Sequence, residues 1–186
     1  IYDSSNKSSL LFNIFEKKRK RFKRGENLKM EKVEIRRLNQ TNIEEIIPLR
    51  ISLQKVDFEN NLGIDEQILI NKTREFLNEN LDKDLFMYGT YVEEELVSIC
   101  GLTIFKYFPQ ADDLSCKVGY ITCVYTKDEY RGNGYQKQVF QKCIELGKQM
   151  GITRFKLSTK NPIAMKMYEN FGFKEDKNAK KMSVSS

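Results

Sequence analysis

Tyr130-Arg131-Gly132-Asn133-Gly134-Tyr135-Gln136 decides how the rest of the chain is read. Before it stands a β-rich apolar run, Gly119-Tyr120-Ile121-Thr122-Cys123-Val124-Tyr125; after it, Tyr135 to Met150 repeats its apolar residues at helical period. A strand therefore enters a helix through a glycine-bearing turn. The first turn of a helix leaves N–H groups without intrahelical partners, and the helix dipole adds partial positive charge there. Gly132 and Gly134 carry no Cβ, so the turn can take φ > 0 and a phosphate can approach the main chain. A lone Gly-x-Gly also fits a plain strand-to-helix turn. The dinucleotide fingerprint lacks its third glycine, and no Gly-Lys-Ser/Thr follows as a nucleotide-triphosphate loop demands.

Downstream, Gly151 offers a left-handed stop to the helix. Arg154-Phe155-Lys156-Leu157-Ser158-Thr159-Lys160 reads as a strand, and Asn161-Pro162 starts another helix, with Asn as N-cap and Pro at the first helical position. Tyr168 lies almost two turns beyond Asn161, so the spacing puts both on one helix face that looks back at the glycine turn.

Taken together, these residues resemble the Gcn5-related N-acetyltransferase (GNAT) family. Its pyrophosphate motif, Gln/Arg-x-x-Gly-x-Gly/Ala, is read here in Arg131-Gly132-Asn133-Gly134-Tyr135-Gln136, with Gln136 where the family has a small residue. Its later motif, Asn-x-x-Ala-x-x-x-Tyr-x-x-x-Gly-Phe, is met by Asn161, Ala164, Tyr168, Gly172 and Phe173. The resemblance covers about Val33 to Val184. It implies an α/β (α+β) GNAT fold: a mixed, mostly antiparallel twisted sheet of about six or seven strands, helices on both faces, and strands splayed at a cofactor cleft. It also implies acetyl coenzyme A as co-substrate, and no metal.

By the same resemblance, the cofactor-binding set is Val124, Tyr125 and Thr126 on the strand, Arg131, Gly132, Asn133, Gly134, Tyr135, Gln136 and Lys137 at the turn, and Asn161. Tyr168 is the candidate general acid for the departing thiolate; packing of its ring against Phe171 and Phe173 is the other reading of that residue. The resemblance further implies that the acetyl group goes to a primary amine, on a small molecule or a peptide, by direct attack in a ternary complex. Where family members often carry a glutamate base, Tyr120 and Lys156 align. Water relayed through Tyr120, an acid from the 106–116 loop, and an acceptor of low intrinsic pKa stay open. The alternative class is a non-catalytic coenzyme A sensor, or a module that docks RNA or a partner through its basic leader.

Composition bounds these readings. The chain has 186 residues, 40% hydrophobic and 31% charged, which suits one globular domain over residues 30–186. It has no apolar run near the length of a membrane span. The net charge of +6 suggests nucleic acid until it is divided: residues 1–30 hold 9 Lys/Arg against 3 Asp/Glu, and the rest holds 23 of each sign. The excess is confined to a leader, 1–29, in which Leu10-Leu11-Phe12-Asn13-Ile14-Phe15 precedes the basic run Lys17 to Arg24. Two accounts of it stand. It is a non-native or disordered, solvated arm, since the chain opens on Ile and Met30 precedes the first strand; or it is an amphipathic segment for anionic lipid or RNA. Nucleic acid is not expected as a partner of the domain, and a homodimer is left open.

Working back towards that leader, Val33 to Leu38 alternates as a strand. Thr41-Asn42-Ile43-Glu44 reads as a capping box before a helix carrying Ile43, Ile46, Ile47, Ile51 and Leu53, with Pro48 predicting a kink or break. Asp65 caps a second helix to about Asn80; in the resembled fold these two helices wall the acceptor site. Leu85 to Val92 and Leu96 to Phe105 flank Glu93-Glu94-Glu95 as a hairpin. In the loop that follows, Asp112 and Asp113 either attract a cationic amine or belong to a solvated surface. Lys180 to Val184 reads as a last strand. Cys100, Cys116, Cys123 and Cys143 lack metal-ligand spacing and the chain has no His, so free thiols in a reducing cytoplasm are expected and an activated Cys123 nucleophile is not.

Overall fold

The computed structural model describes residues 31–176. The leader and the expected last strand lie outside the described residues. In chain order the elements are β1 (Val33–Leu38), α1 (Ile43–Asp57), α2 (Glu66–Asn80), β2 (Leu85–Val92), β3 (Glu95–Lys106), β4 (Lys117–Thr126), α3 (Tyr135–Gln149), β5 (Arg154–Lys156) and α4 (Pro162–Asn170). The five strands form one sheet in the order β1-β2-β3-β4-β5, antiparallel except for the parallel pair β4–β5. Parallel neighbours need a crossover, and α3 supplies it. The mixed sheet agrees with expectation. The count of five strands among the described residues falls below the expected six or seven, and β5 stops at Lys156, well short of Lys160.

Local chemistry accounts for the boundaries. Glu93 (φ 49°) and Glu94 (φ 74°) sit in left-handed backbone between Val92 and Glu95, giving the two-residue hairpin turn whose twist suits antiparallel strands. Non-glycine residues pay for that conformation. Glu94 is also held by Arg36 at 2.8 Å. The capping box is displaced from its expected place: Asn39 accepts from Thr41 N–H, and Asn42 Oδ1 accepts from Asn39 N–H, across a short 3₁₀ turn that leads into α1. Pro48 does not break α1. It lies near the helix start on the exposed side, and the carbonyl it cannot satisfy belongs to exposed Glu44, where water can reach it. Asp65 caps α2 as expected, accepting from Gln67 N–H at 2.7 Å.

Two cores sandwich the sheet. On one face α1 and α2 contribute Ile43, Ile46, Ile47 and Leu77 against Met87 and Ile99; on the other, α3 and α4 contribute Val139, Phe140, Cys143 and Tyr168 against Cys100, Leu102 and Ile121. The second layer is tight around Phe155. A Cβ on Gly147 of α3 would stand 2.5 Å from Phe155 Cε1, and one on Gly119 of β4 would stand 2.9 Å from its Cδ1. These glycines make room for a ring that locks the crossover helix to the sheet.

Gly147→Ala should therefore destabilise the fold by about 1–3 kcal/mol, although Ala is the better helix former. Urea unfolding checks this, and adding Phe155→Leu should restore part of the loss. A neutral or stabilising Gly147→Ala would refute the packing account.

Candidate active site

The site grows from a mismatch in β4. Its pairing with β3 runs from Lys117↔Lys106 to Thr122↔Gly101 and resumes at Tyr125↔Ile99, so Cys123 and Val124 together oppose the single residue Cys100. The extra residue is a β-bulge, and Cys123 takes it up in left-handed backbone (φ 51°). Facing changes with it. Ile121 and Val124 pack on the α3 side of the sheet, whereas Cys123 and Tyr125 pack on the α1 side. Regular alternation would have put Cys123 with Ile121.

On its other edge β4 is left open. Pairing with β5 covers only Val118, Gly119 and Tyr120, while β4 continues to Thr126. The stretch Ile121–Thr126 thus has a strand edge without a strand partner among the described residues, with the bulge in its middle.

The glycine turn follows directly. Gly132 (φ 81°) and Gly134 (φ 79°) are both left-handed, with open space where a Cβ would stand. Gly134 is the N-cap of α3, no side chain caps the helix, and the first helical bond runs from Gln138 N–H to Gly134 O at 3.3 Å. The amides of Gln136 and Lys137 precede that bond at the positive end of the dipole.

Side chains fix this turn against β4. Arg131 donates from Nε to Thr126 O at 3.2 Å and pairs with Asp128 at 2.6 Å; Asn133 donates to Tyr130 O at 3.0 Å. Gln136 turns inward. Its Oε1 accepts from Thr126 Oγ1 at 2.9 Å and Ser98 Oγ at 3.4 Å, and its Nε2 donates to Ile99 O at 3.3 Å. The departure from the small residue of the resembled motif therefore leaves the turn's outer surface clear, because the amide lies beneath the helix. Lys137 is exposed.

Asn161 caps α4 as expected, accepting from Ile163 N–H at 2.9 Å and Ala164 N–H at 3.4 Å. The two ends of its helix differ: Asn161 is exposed, whereas Tyr168 is only 6% exposed. The Tyr168 ring packs on Phe140 (centroids 5.2 Å apart) and Phe173 (6.3 Å), in the same cluster as Val124. Burial pushes its phenol up to about 12. The packing and the placement near β4 hold together.

Among the groups considered for proton removal, Tyr120 lies edge-on to Phe105 at 6.3 Å. The acids of the 106–116 loop are engaged: Asp112 pairs with Arg154 at 2.6 Å, and Asp113 is bound by Tyr107 Oη, Ser115 N–H, Thr153 Oγ1 and Arg154. Those hydrogen bonds hold the Asp113 carboxyl well below the usual carboxylate range. This network ties the loop to the start of β5, at the end of β4 opposite the glycine turn. Cys123 is a thiol pushed up to about 11 by burial, which removes it as a nucleophile at neutral pH.

Two features of the site do not stand out in the sequence. The bulge has no local signal, since Cys is a poor residue for φ > 0. The polar continuation of α1 as Arg50, Gln54 and Asp57 was legible as an i, i+4, i+7 series, but was hidden behind the apolar series that led to it.

The acetyltransferase (GNAT) family model matches residues 52–173. The chain belongs to that family, and so to the acyltransferases. Among solved structures it is similar to a predicted acetyltransferase from Clostridium acetobutylicum crystallised with acetyl-CoA (18% identity, 82% of this chain and 96% of that one, TM-score 0.69). It is similar also to the aminoglycoside N-acetyltransferase AAC(6')-Iy in complex with CoA (18%, 86% and 99%, TM-score 0.66). A third is a ribosomal-protein-alanine N-acetyltransferase from Brucella melitensis biovar Abortus 2308 (17%, 83% and 100%, TM-score 0.62). At these identities the likeness is one of fold. No curated protein sequence matches the chain significantly.

The Gln136 tie yields a direct test. Gln136→Ala should cost about 1–2 kcal/mol in urea unfolding, because it removes hydrogen bonds to Ile99 O and Thr126 Oγ1. Gln136→Met, which keeps the volume, should recover little of that loss. Full recovery would mean that filling space, and not hydrogen bonding, is what the side chain contributes.

Proposed function

We propose that the chain is an acetyl-CoA-dependent N-acetyltransferase that passes the acetyl group to a primary amine by direct attack in a ternary complex. The observation that carries this reading is the uncapped start of α3 set beside the open edge of β4. A diphosphate suits the first, an extended arm with amide groups suits the second, and coenzyme A has both. The relative crystallised with acetyl-CoA supports the donor, and the aminoglycoside enzyme supports an amine acceptor.

In this reading the amides from Gly132 to Lys137 hold the diphosphate, with Arg131 and Asn133 fixing the turn, and Asn161 orients the donor from the start of α4. The main chain of Val124, Tyr125 and Thr126 pairs with the extended arm. The N–H of Val124, at the bulge, faces the oxyanion that develops as the amine nitrogen attacks the thioester carbon. The new C–N bond forms, the C–S bond breaks, and Tyr168 donates to the departing sulfur. Its phenol, raised to about 12, keeps its proton at every pH below that value, so the donor is present throughout the physiological range. The acceptor's ammonium loses one proton to water before it attacks and a second once the C–N bond has formed, and the Tyr168 phenolate regains its proton from water. Residues 30–186 form the catalytic unit, and the four free cysteines suit a reducing cytoplasm.

A coenzyme A sensor is the second reading. The engagement of Asp112 and Asp113 by Arg154 favours it, since that removes the loop acids as bases.

Thiol release from acetyl-CoA across a panel of amines separates the two readings: the enzyme turns over at least one, whereas a sensor is stabilised by coenzyme A and turns over none. Tyr168→Phe keeps the ring packing and removes the proton, and should lower kcat by about a hundredfold. Unchanged turnover would take Tyr168 out of the chemistry. Cys123→Ala should retain turnover, and loss of the reaction with its fold intact would reinstate the thiol.

A further inference from the structure

The acceptor's chemistry is written on α1, granted the acetyl-transfer reading above. The helix begins as core: Ile43, Ile46 and Ile47 are buried against the sheet. The same face continues, at helical steps of three, four and seven, as Arg50, Gln54 and Asp57. A face that is apolar and then turns polar marks where a helix stops covering a core and meets solvent or a ligand. That change falls beside the bulge. Cys123 packs on the α1 side of the sheet, where burial raises its thiol and the charges of Arg50 and Asp57 act on it in opposite senses.

Arg50 differs from every other arginine among the described residues. Arg36, Arg37, Arg74, Arg131 and Arg154 each form an ion pair with a carboxylate; Arg50 forms none, although it is half-buried. A partly desolvated guanidinium without a counter-ion is poised for a carboxylate, which matches its fork of donors. The Gln54 amide stands between the two charges: in one orientation it accepts from Arg50 at 3.2 Å, in the other it donates to Asp57 at 3.5 Å. Asp57 has no ion pair either. Two helical turns, about 10 Å of rise, separate Arg50 from Asp57. The Gln54 amide joins the two charges along that face, so a molecule carrying both charges would meet a guanidinium at one end and a carboxylate at the other.

We infer that the acceptor is zwitterionic, an amino-acid-like molecule whose carboxylate is held by Arg50 and whose amine is held by Asp57, on the α1 face of the Cys123 bulge. A polycationic acceptor meets the wrong charge at Arg50. Both residues are binding and orienting groups, and they set which amines reach the thioester.

Matched acceptors test this on the full chain with acetyl-CoA: phenylalanine, leucine and alanine, each beside its carboxamide and its decarboxylated amine. The two larger side chains are included because Val56, Phe58, Ile64 and Ile68 are exposed along the end of α1 and the start of α2. For at least one series, kcat/KM for the amino acid should exceed that of both analogues by about tenfold or more. Arg50→Gln should lower that ratio about tenfold, and Arg50→Lys should lower it less. Binding of the same amino acid to the coenzyme A-saturated protein, read by titration calorimetry, should weaken in parallel. Equal or better use of the carboxamides and decarboxylated amines would overturn the inference, as would an Arg50→Gln that slows all acceptors alike, or no binding of any amino acid. Binding through Arg50 without turnover of any amine would keep the inference and overturn the acetyl-transfer reading instead.

Discussion

One surplus residue in β4 governs the site. Without it, Cys123 would share a face with Ile121, β4 would stay in register with β3 to its end, and Val124 would be one more rung of a regular ladder. With it, the strand gains a residue in left-handed backbone and local twist increases. Such strain persists only where surrounding packing over-determines it. Here the packing is substantial: Cys100 and Ile99 are fully buried on the partner strand, and the α3 layer is wedged by Phe155 between two glycines.

The turn that follows depends on the same frame. Ser98, Thr126 and Gln136 form a polar link from β3 through β4 to the first turn of α3, with Ser98 and Thr126 hydroxyls 2.8 Å apart. Polar groups this well enclosed are costly unless each finds a partner, and these do so by joining three elements. The consequence is positional. The start of α3 cannot drift relative to the open edge of β4 without breaking that link, so the exposed amides of the turn and the strand edge keep one spacing.

Much of this was legible from local chemistry. Glycines at the turn, Asn161 with Pro162, Asp65 and the Glu93-Glu94 hairpin all act through their own backbone or the next few residues, so their sequence signals transfer to the structure intact. Other features depend on distant partners and have no local signature. The capping box moved to Asn39 because the helix is preceded by a 3₁₀ turn; β5 ended at Lys156, where its register with Tyr120 of β4 ends; and the direction of Gln136 is set by Ser98, which lies far away in the chain. Cys123 is the extreme case, since its residue type argues against the backbone it adopts.

Charge adds a last constraint. Acids and bases balance outside the leader, and the described arginines other than Arg50 spend their charge on neighbours: Arg36 on Glu34 and Glu94, Arg37 on Asp82, Arg74 on Glu44. Exposed pairs of this kind add little stability, but they remove long-range fields from the surface. What remains near the cleft is therefore not averaged over a charged background. In the proposed reading, a guanidinium and a carboxylate on one face of α1, across the sheet from a phenol that keeps its proton, are the charges that an approaching amine would meet there. The fold supplies a frame whose arginines are otherwise paired, and in the proposed reading the groups left outside those pairs select the acceptor.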